Sequence, residues 1–186
     1  PDLFWVDPDR RGVLPLDGLI ASRSLKRAIR RDRFQVRFDT AFDQVVAACA
    51  DRSETWINAE IFDLYAKLHA AGFAHSLEIR HKTELIGGVY GVALGGAFFG
   101  ESMFSRATDG SKVALAYLVA RLNATGFSLL DTQFITPHLE SLGGQEISRR
   151  TYHALLRKAL KVKANILSDV AMPSAQDAAE RKTQTS

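Results

Sequence analysis

The chain predicts an α+β layered fold: a central, mostly antiparallel sheet flanked by helices, behind a small basic N-terminal piece. Three observations carry that expectation. The stretch LIGGVYGVALGGAFFGESMFSR, residues 85–106, is apolar, broken by paired glycines and uncharged before Glu101, which reads as a buried hairpin with strands over 86–94 and 97–100 and a turn at Gly95-Gly96. HSLEIR, 75–80, alternates as a half-buried strand does and extends the hairpin to a three-strand meander. Capping signals and helical periodicity on both sides of the meander supply the covering layers.

Bulk properties agree. With 186 residues and 46% hydrophobic content the chain suits one domain with an appendage and can bury a sizeable core. Cys49 is the lone cysteine, set in the apolar run 41–50, so it reads as a core residue in a reducing compartment. No apolar run approaches the roughly 18 residues a membrane span needs, and the opening PDLFWVDPDRR lacks a signal-peptide core. A cytoplasmic protein is expected.

Taken in order, residues 1–22 hold Pro1, Pro8, Gly12, Pro15 and Gly18 and predict irregular structure draped on a core. The segment 22–37 follows, SRSLKRAIRRDRFQVR, with Arg23, Lys26, Arg27, Arg30, Arg31, Arg33 and Arg37 against Asp32 alone. Ser24 is the expected N-cap of a short helix that buries Leu25, Ala28 and Ile29 and turns its cations outward. Such a stripe suits a phosphate backbone, with salt-dependent affinity, although a charge run taken alone is more often an ordinary solvated face.

Asp39 or Thr40 is expected to cap a helix over 41–50, and Asn58 another over 59–71, closed by Gly72. Ile61, Leu64, Tyr65 and Leu68 fall at i, i+3, i+4 and i+7, the apolar face of that second helix. Trp56 just before it reads as a packing anchor or a ligand contact. His75 opens the first meander strand, as a hydrogen-bonded structural group or a base. Ser111 is expected to cap a buried helix over 112–125, ended by Gly126.

A strand over 127–134, FSLLDTQF, carries Asp131 and Gln133 at i and i+2, hence on one face. An acid in so apolar a strand needs a partner or a chemical role. One helical turn over 137–142, a break at Gly143-Gly144 and a helix over 149–160 capped by Ser148 complete the core, and past Lys161 the chain is expected to fray. Boundaries follow: 1–38 a basic piece, 39–162 the catalytic domain, 163–186 a flexible tail.

Several chemistries lack their motifs. There is no HExxH among the five histidines, no GxSxG and no GxxxxGK[ST]. What remains is Glu101, Asp131 and Gln133 beside Phe98, Phe99, Met103 and Phe104. An apolar pocket and carboxylates able to orient an amine are the chemistry those residues offer.

GGVYGVALGGAFFGESMFSR, then LLDTQF, then SLGGQEISRR resemble, in that order, the leucyl/phenylalanyl-tRNA protein transferases, bacterial enzymes of the N-end rule pathway. The similarity runs from about Trp5 to Leu160. It implies an N-acetyltransferase-like catalytic fold and transfer of Leu or Phe, with Met also admissible, from aminoacyl-tRNA to the α-amine of proteins beginning with Arg or Lys. It further implies that Asp131 and Gln133 are the catalytic pair and Glu101 an acceptor-side carboxylate. Trp56 and Tyr65 would lie on the substrate side, with Val89, Phe98, Met103 and Leu118 around the Leu or Phe side chain. Arg23, Lys26, Arg27, Arg30, Arg31 and Arg33 would meet the tRNA acceptor stem through its phosphates. No cofactor or metal is implied, since an aminoacyl ester is already activated. Two features depart from the family pattern: the segment before Phe4-Trp5 is shorter, and Val89 stands where methionine is common. An acetyl-CoA-dependent N-acetyltransferase would need an R/Q-x-x-G-x-G/A loop where this chain has RATDGSK, 106–112. A cell-wall transferase using aminoacyl-tRNA would need a doubled domain. A non-enzymatic RNA-binding module would not depend on Asp131.

Overall fold

In the computed structural model, which describes residues 6–31 and 34–180, the strands are β1 (Arg10–Val13), β2 (Gln35–Phe38), β3 (Ala74–His81), β4 (Glu84–Leu94), β5 (Ala97–Ser105), β6 (Leu129–Gln133) and β7 (Gln145–Ser148). The helices are α1 (Arg23–Arg30), α2 (Phe42–Ala50), α3 (Ala59–Ala70), α4 (Gly110–Ala124), α5 (Pro137–Ser141), α6 (Arg149–Ala159) and α7 (Ala175–Ala179). All seven strands join one sheet in the order β2-β3-β4-β5-β6-β1-β7, antiparallel throughout except for the parallel pair β5/β6. The α+β class and the mostly antiparallel sheet are as expected.

Two helical layers cover the sheet. Leu25 and Ile29 of α1, most of α4, and Ala178 and Ala179 of α7 share a core with Leu77, Ile79, Val89, Phe98 and Leu130. On the other face α2 and α3 pack over Ala74, Tyr90 and Phe104, and Tyr152 of α6 packs over Val13, Ala97 and Leu129. α4 is buried nearly all round, which is why its sequence lacks a polar face. Gly95, at φ +58, makes the β4–β5 turn, and a Cβ there would also meet the backbone of Leu160 at 2.8 Å.

Several expected caps are placed differently. Ser22 rather than Ser24 caps α1, its Oγ accepting from the Leu25 N–H at 3.1 Å. α2 has no side-chain cap: Asp39 instead accepts from the Ser76 N–H at 2.7 Å and contacts His75 Nδ1 at 2.7 Å, and the Thr40 hydroxyl donates to buried Glu78. His75 is thus a hydrogen-bonded structural group. α4 begins from Asp109 in a left-handed conformation, while the Ser111 N–H donates to Ser105 Oγ. Asn58 and Ser148 cap α3 and α6 as expected.

Three larger differences have tertiary causes. Residues 10–13, expected to be irregular, form β1 between β6 and β7. α3 buries none of its residues fully, and Leu64 is exposed, because the helix makes its apolar contacts with the second core through partly buried Ile61, Phe62, Tyr65 and Leu68 alone. Residues 164–180, expected to fray, lie against α1 and α4. There the buried Arg121 guanidinium donates to the carbonyls of Ile166, Ser168 and Val170 at 2.8, 2.9 and 2.5 Å. Phe4, Trp5, Arg33 and 181–186 lie outside the described residues. Among the described residues no helix is long and apolar enough to cross a membrane.

Candidate active site

β5 and β6 pair only from Ala97↔Leu129 to Phe99↔Asp131. β5 then continues to Ser105 along β4, while β6 continues to Gln133 along β1, so the two parallel strands part. Glu101 and Gln133 stand on opposite sides of that opening, and Gln133 Nε2 donates to Glu101 Oε2 at 3.0 Å.

Glu101 is not at a strand end, as expected from Gly100, but within β5 at a β-bulge. Tyr90 pairs with Ser102 and Gly91 with Gly100, leaving Glu101 as the extra residue. The bulge shifts the alternation by one. Phe98 and Met103, an odd number of positions apart, therefore both pack in the core that holds Val89 and Leu118. Val89 pairs directly with Met103, and Phe98 and Leu118 are each only 1% exposed.

Asp131 is fully buried and heavily bonded. Arg11 Nε lies 3.1 Å from its Oδ1 and Nη2 lies 2.8 Å from its Oδ2, a forked pair, and the Tyr152 hydroxyl donates to Oδ2 at 2.5 Å. The Arg11 guanidinium also sits over the Tyr152 ring, 5.2 Å from its centroid. Neither Arg11 nor Tyr152 was singled out by sequence. The signal that existed was the demand for a partner to a buried acid, and it names no partner: Arg11 is 120 residues away, on a strand hidden in a proline- and glycine-rich segment.

Gln133 is not placed by strand alternation. Its N–H donates to Asp131 Oδ1 at 2.7 Å, a local Asx-type turn, and its backbone is left-handed at φ +62. That turn aims the amide at Glu101. Burial pushes the Glu101 carboxyl above its ordinary range, opposed by hydrogen bonds from Tyr65 and Gln133. Burial first, then Glu101, pushes the Tyr65 hydroxyl up, keeping it a donor. Tyr65 meets Trp56 edge-on at 6.3 Å, and Trp56 is 48% exposed, a surface side chain and not a packing anchor. Asp131, Gln133, Glu101, Tyr65 and Trp56 thus form one continuous chain of contacts. The α1 cations form a separate feature, because α1 packs on α4 and α7. There Arg23, Lys26, Arg27, Arg30 and Arg31 line one groove.

The model of the leucyl/phenylalanyl-tRNA protein transferases matches residues 13–157. The chain belongs to this family. Leucyl/phenylalanyl-tRNA protein transferases of Ruegeria sp. (strain TM1040), Ruegeria pomeroyi and Cereibacter sphaeroides (strain ATCC 17025) are 61%, 58% and 57% identical to it over all 186 residues, which cover 88%, 88% and 87% of those proteins. Among solved structures, L-PGS from Bacillus licheniformis overlaps with a TM-score of 0.49 at 14% identity over 68% of this chain and 46% of that one, a likeness too slight to bear on the fold. The transferase moves Leu or Phe from aminoacyl-tRNA to proteins, the family's step in the N-end rule pathway. The opening between β5 and β6 is its candidate active site.

Proposed function

We propose that the transferase joins the aminoacyl ester and the acceptor amine where β5 and β6 part, on an N-acetyltransferase-like layered fold. The observation that carries this reading is the hydrogen-bonded array Asp131–Gln133–Glu101 across that opening. The α-amine of a protein beginning with Arg or Lys attacks the ester carbonyl carbon. The new C–N bond forms, the C–O bond to the tRNA ribose breaks, the amine gives up a proton and the ribose oxygen takes one. An ester is activated enough that positioning and proton handling suffice, with no nucleotide or metal.

Gln133 donates to Glu101 through Nε2, which leaves carbonyl Oε1 as the end that accepts from an incoming amine. A glutamine is a weak base, so its role is orientation. Asp131, tied to Gln133 through the backbone N–H, carries the electrostatics of the developing positive charge. Glu101, its proton affinity raised by burial, holds the amine on the acceptor side, with Tyr65 and Trp56 at the entrance. Val89, Phe98, Met103 and Leu118 form the wall against the Leu or Phe side chain. Discrimination by shape gives only about 1–3 kcal/mol per methylene, so Met also enters. The cations of α1, with Arg33, meet the acceptor stem through phosphates, making 1–38 the tRNA-contacting piece and 39–162 the catalytic one, with 163–186 after it. The enzyme works in the cytoplasm, where charged tRNA is found.

The test is transfer of radiolabelled Leu from Leu-tRNA to a protein with N-terminal Arg, by the wild type and by Asp131→Ala. Transfer by the first and near loss in the second, with Leu-tRNA still bound, supports the reading. Equal transfer by both overturns the role of Asp131, and transfer to N-terminal Ala as readily as to Arg overturns the acceptor assignment.

A further inference from the structure

We propose that a cationic cavity at the other end of the β3–β5 meander, built on Arg31, Arg80 and Arg106, is a second phosphate-backbone site for the aminoacyl-tRNA donor. It shares Arg31 with the α1 groove and lies outside the carboxylate site. The cavity, about 770 Å³ and open to solvent, lies between the end of α1, the β3–β4 turn and the segment after β5, with Phe34 and Ile86 among its apolar walls and the carboxylate of Glu84 at its edge. Three guanidinium groups from three separate elements converge on it.

Arg80 is held in place by neutral acceptors: Nη1 donates to the Thr83 carbonyl at 3.0 Å and Nη2 to Gln44 Oε1 at 3.2 Å. Those bonds orient the guanidinium, and among the described residues no carboxylate pairs with it. Arg106 rests on the Phe104 ring, 5.6 Å from the centroid, and its contact with Asp51 is an exposed pair at 3.8 Å, which is worth little in water. A phosphodiester offers the fork two oxygens at once, where Asp51 makes one long contact.

Position argues for tRNA over a free anion. Arg31 lines both this cavity and the α1 groove, so the two cationic surfaces are continuous. Arg106 is five residues beyond Glu101, and Glu101–Ser105 is β5 strand. At about 3.3 Å per residue that places Arg106 roughly 17 Å from the carboxylate, a span suited to a few nucleotides of single strand. A chain entering along α1 thus crosses the cavity before its 3′ end reaches the opening between β5 and β6.

The proposal rests on tRNA as donor and is separable from the α1 assignment. Arg80→Gln/Arg106→Gln and, in parallel, Arg23→Gln/Arg27→Gln are assayed with Leu-tRNA over a salt series and with Leu esterified to adenosine alone, after thermal melts confirm folding. Expected for the cavity variant is a KM for Leu-tRNA raised about tenfold, kcat unchanged, and a log–log salt slope shallower by about 1 to 2, one unit per lost phosphate contact. Turnover of Leu-adenosine stays at the wild-type rate. Equal loss with both donors shows that the arginines only support the fold and overturns the proposal, as does an unchanged KM and salt slope with Leu-tRNA. If the α1 variant alone weakens tRNA, the cavity proposal fails and the α1 reading stands.

Discussion

Gln133 reaches Glu101 across the gap between two parallel strands, Nε2 to Oε2 at 3.0 Å, from a backbone held left-handed at φ +62. Gln133→Gly removes the amide without adding strain, because glycine adopts positive φ freely. The expected outcome is a fall in kcat of about 10²–10³-fold with an unchanged or raised Tm. A variant that keeps more than a tenth of wild-type kcat in the Leu transfer assay shows that the amide does not orient the reaction.

Asp131 depends on Arg11 and Tyr152 as much as Gln133 depends on Asp131. Arg11→Met strands a fully buried carboxylate and is expected to destabilise the fold by about 3–5 kcal/mol in urea unfolding. Tyr152→Phe removes a single hydrogen bond to a charged acceptor and costs about 1.5–3 kcal/mol. Where the Tyr152 variant stays folded, kcat falls and KM for Leu-tRNA holds, since both groups act through Asp131. A loss under 1 kcal/mol for Arg11→Met contradicts the buried-pair account.

Glu101 makes stability depend on pH in a set direction. Burial raises its folded-state pKa above the unfolded value, so the folded state holds the proton more tightly. The resulting stability is present below the ordinary carboxylate range and is lost as pH rises through the raised value. Glu101→Gln cannot ionise and escapes that loss. The Tm of the variant minus that of the wild type should grow as pH rises from about 4 to 7; a constant difference counts against a raised pKa.

Arg121 ties the segment 166–170 to α4 through three backbone carbonyls. Arg121→Met keeps the stem and loses all three bonds, an expected cost of about 2–4 kcal/mol. Limited proteolysis should then nick the chain beyond Ala164 while the rest stays intact. No new cleavage in that region means that packing of Ile166, Ala178 and Ala179 alone holds the segment.

Local rules determined much of this protein from sequence alone. The meander, the buried α4, the Asn58 and Ser148 caps and the residues Glu101, Asp131 and Gln133 follow from periodicity, glycine placement and the rarity of an acid among apolar neighbours, which act over a few residues. The GESMFSR block and the LLDTQF strand carried the family resemblance. Tertiary structure decided the rest. The odd spacing of Phe98 and Met103 places them on opposite faces of a regular strand, and only the bulge at Glu101 reunites them. β1 is too short to show a pattern and exists because β6 and β7 offer it hydrogen bonds on both edges. Arg121 looks like a surface residue of a helix until the chain 45 residues later presents carbonyls to it. Asp131 could be known to need a partner, but Arg11 is supplied by a contact 120 residues long. Such contacts depend on loop closure and sheet order, which no local window of sequence contains.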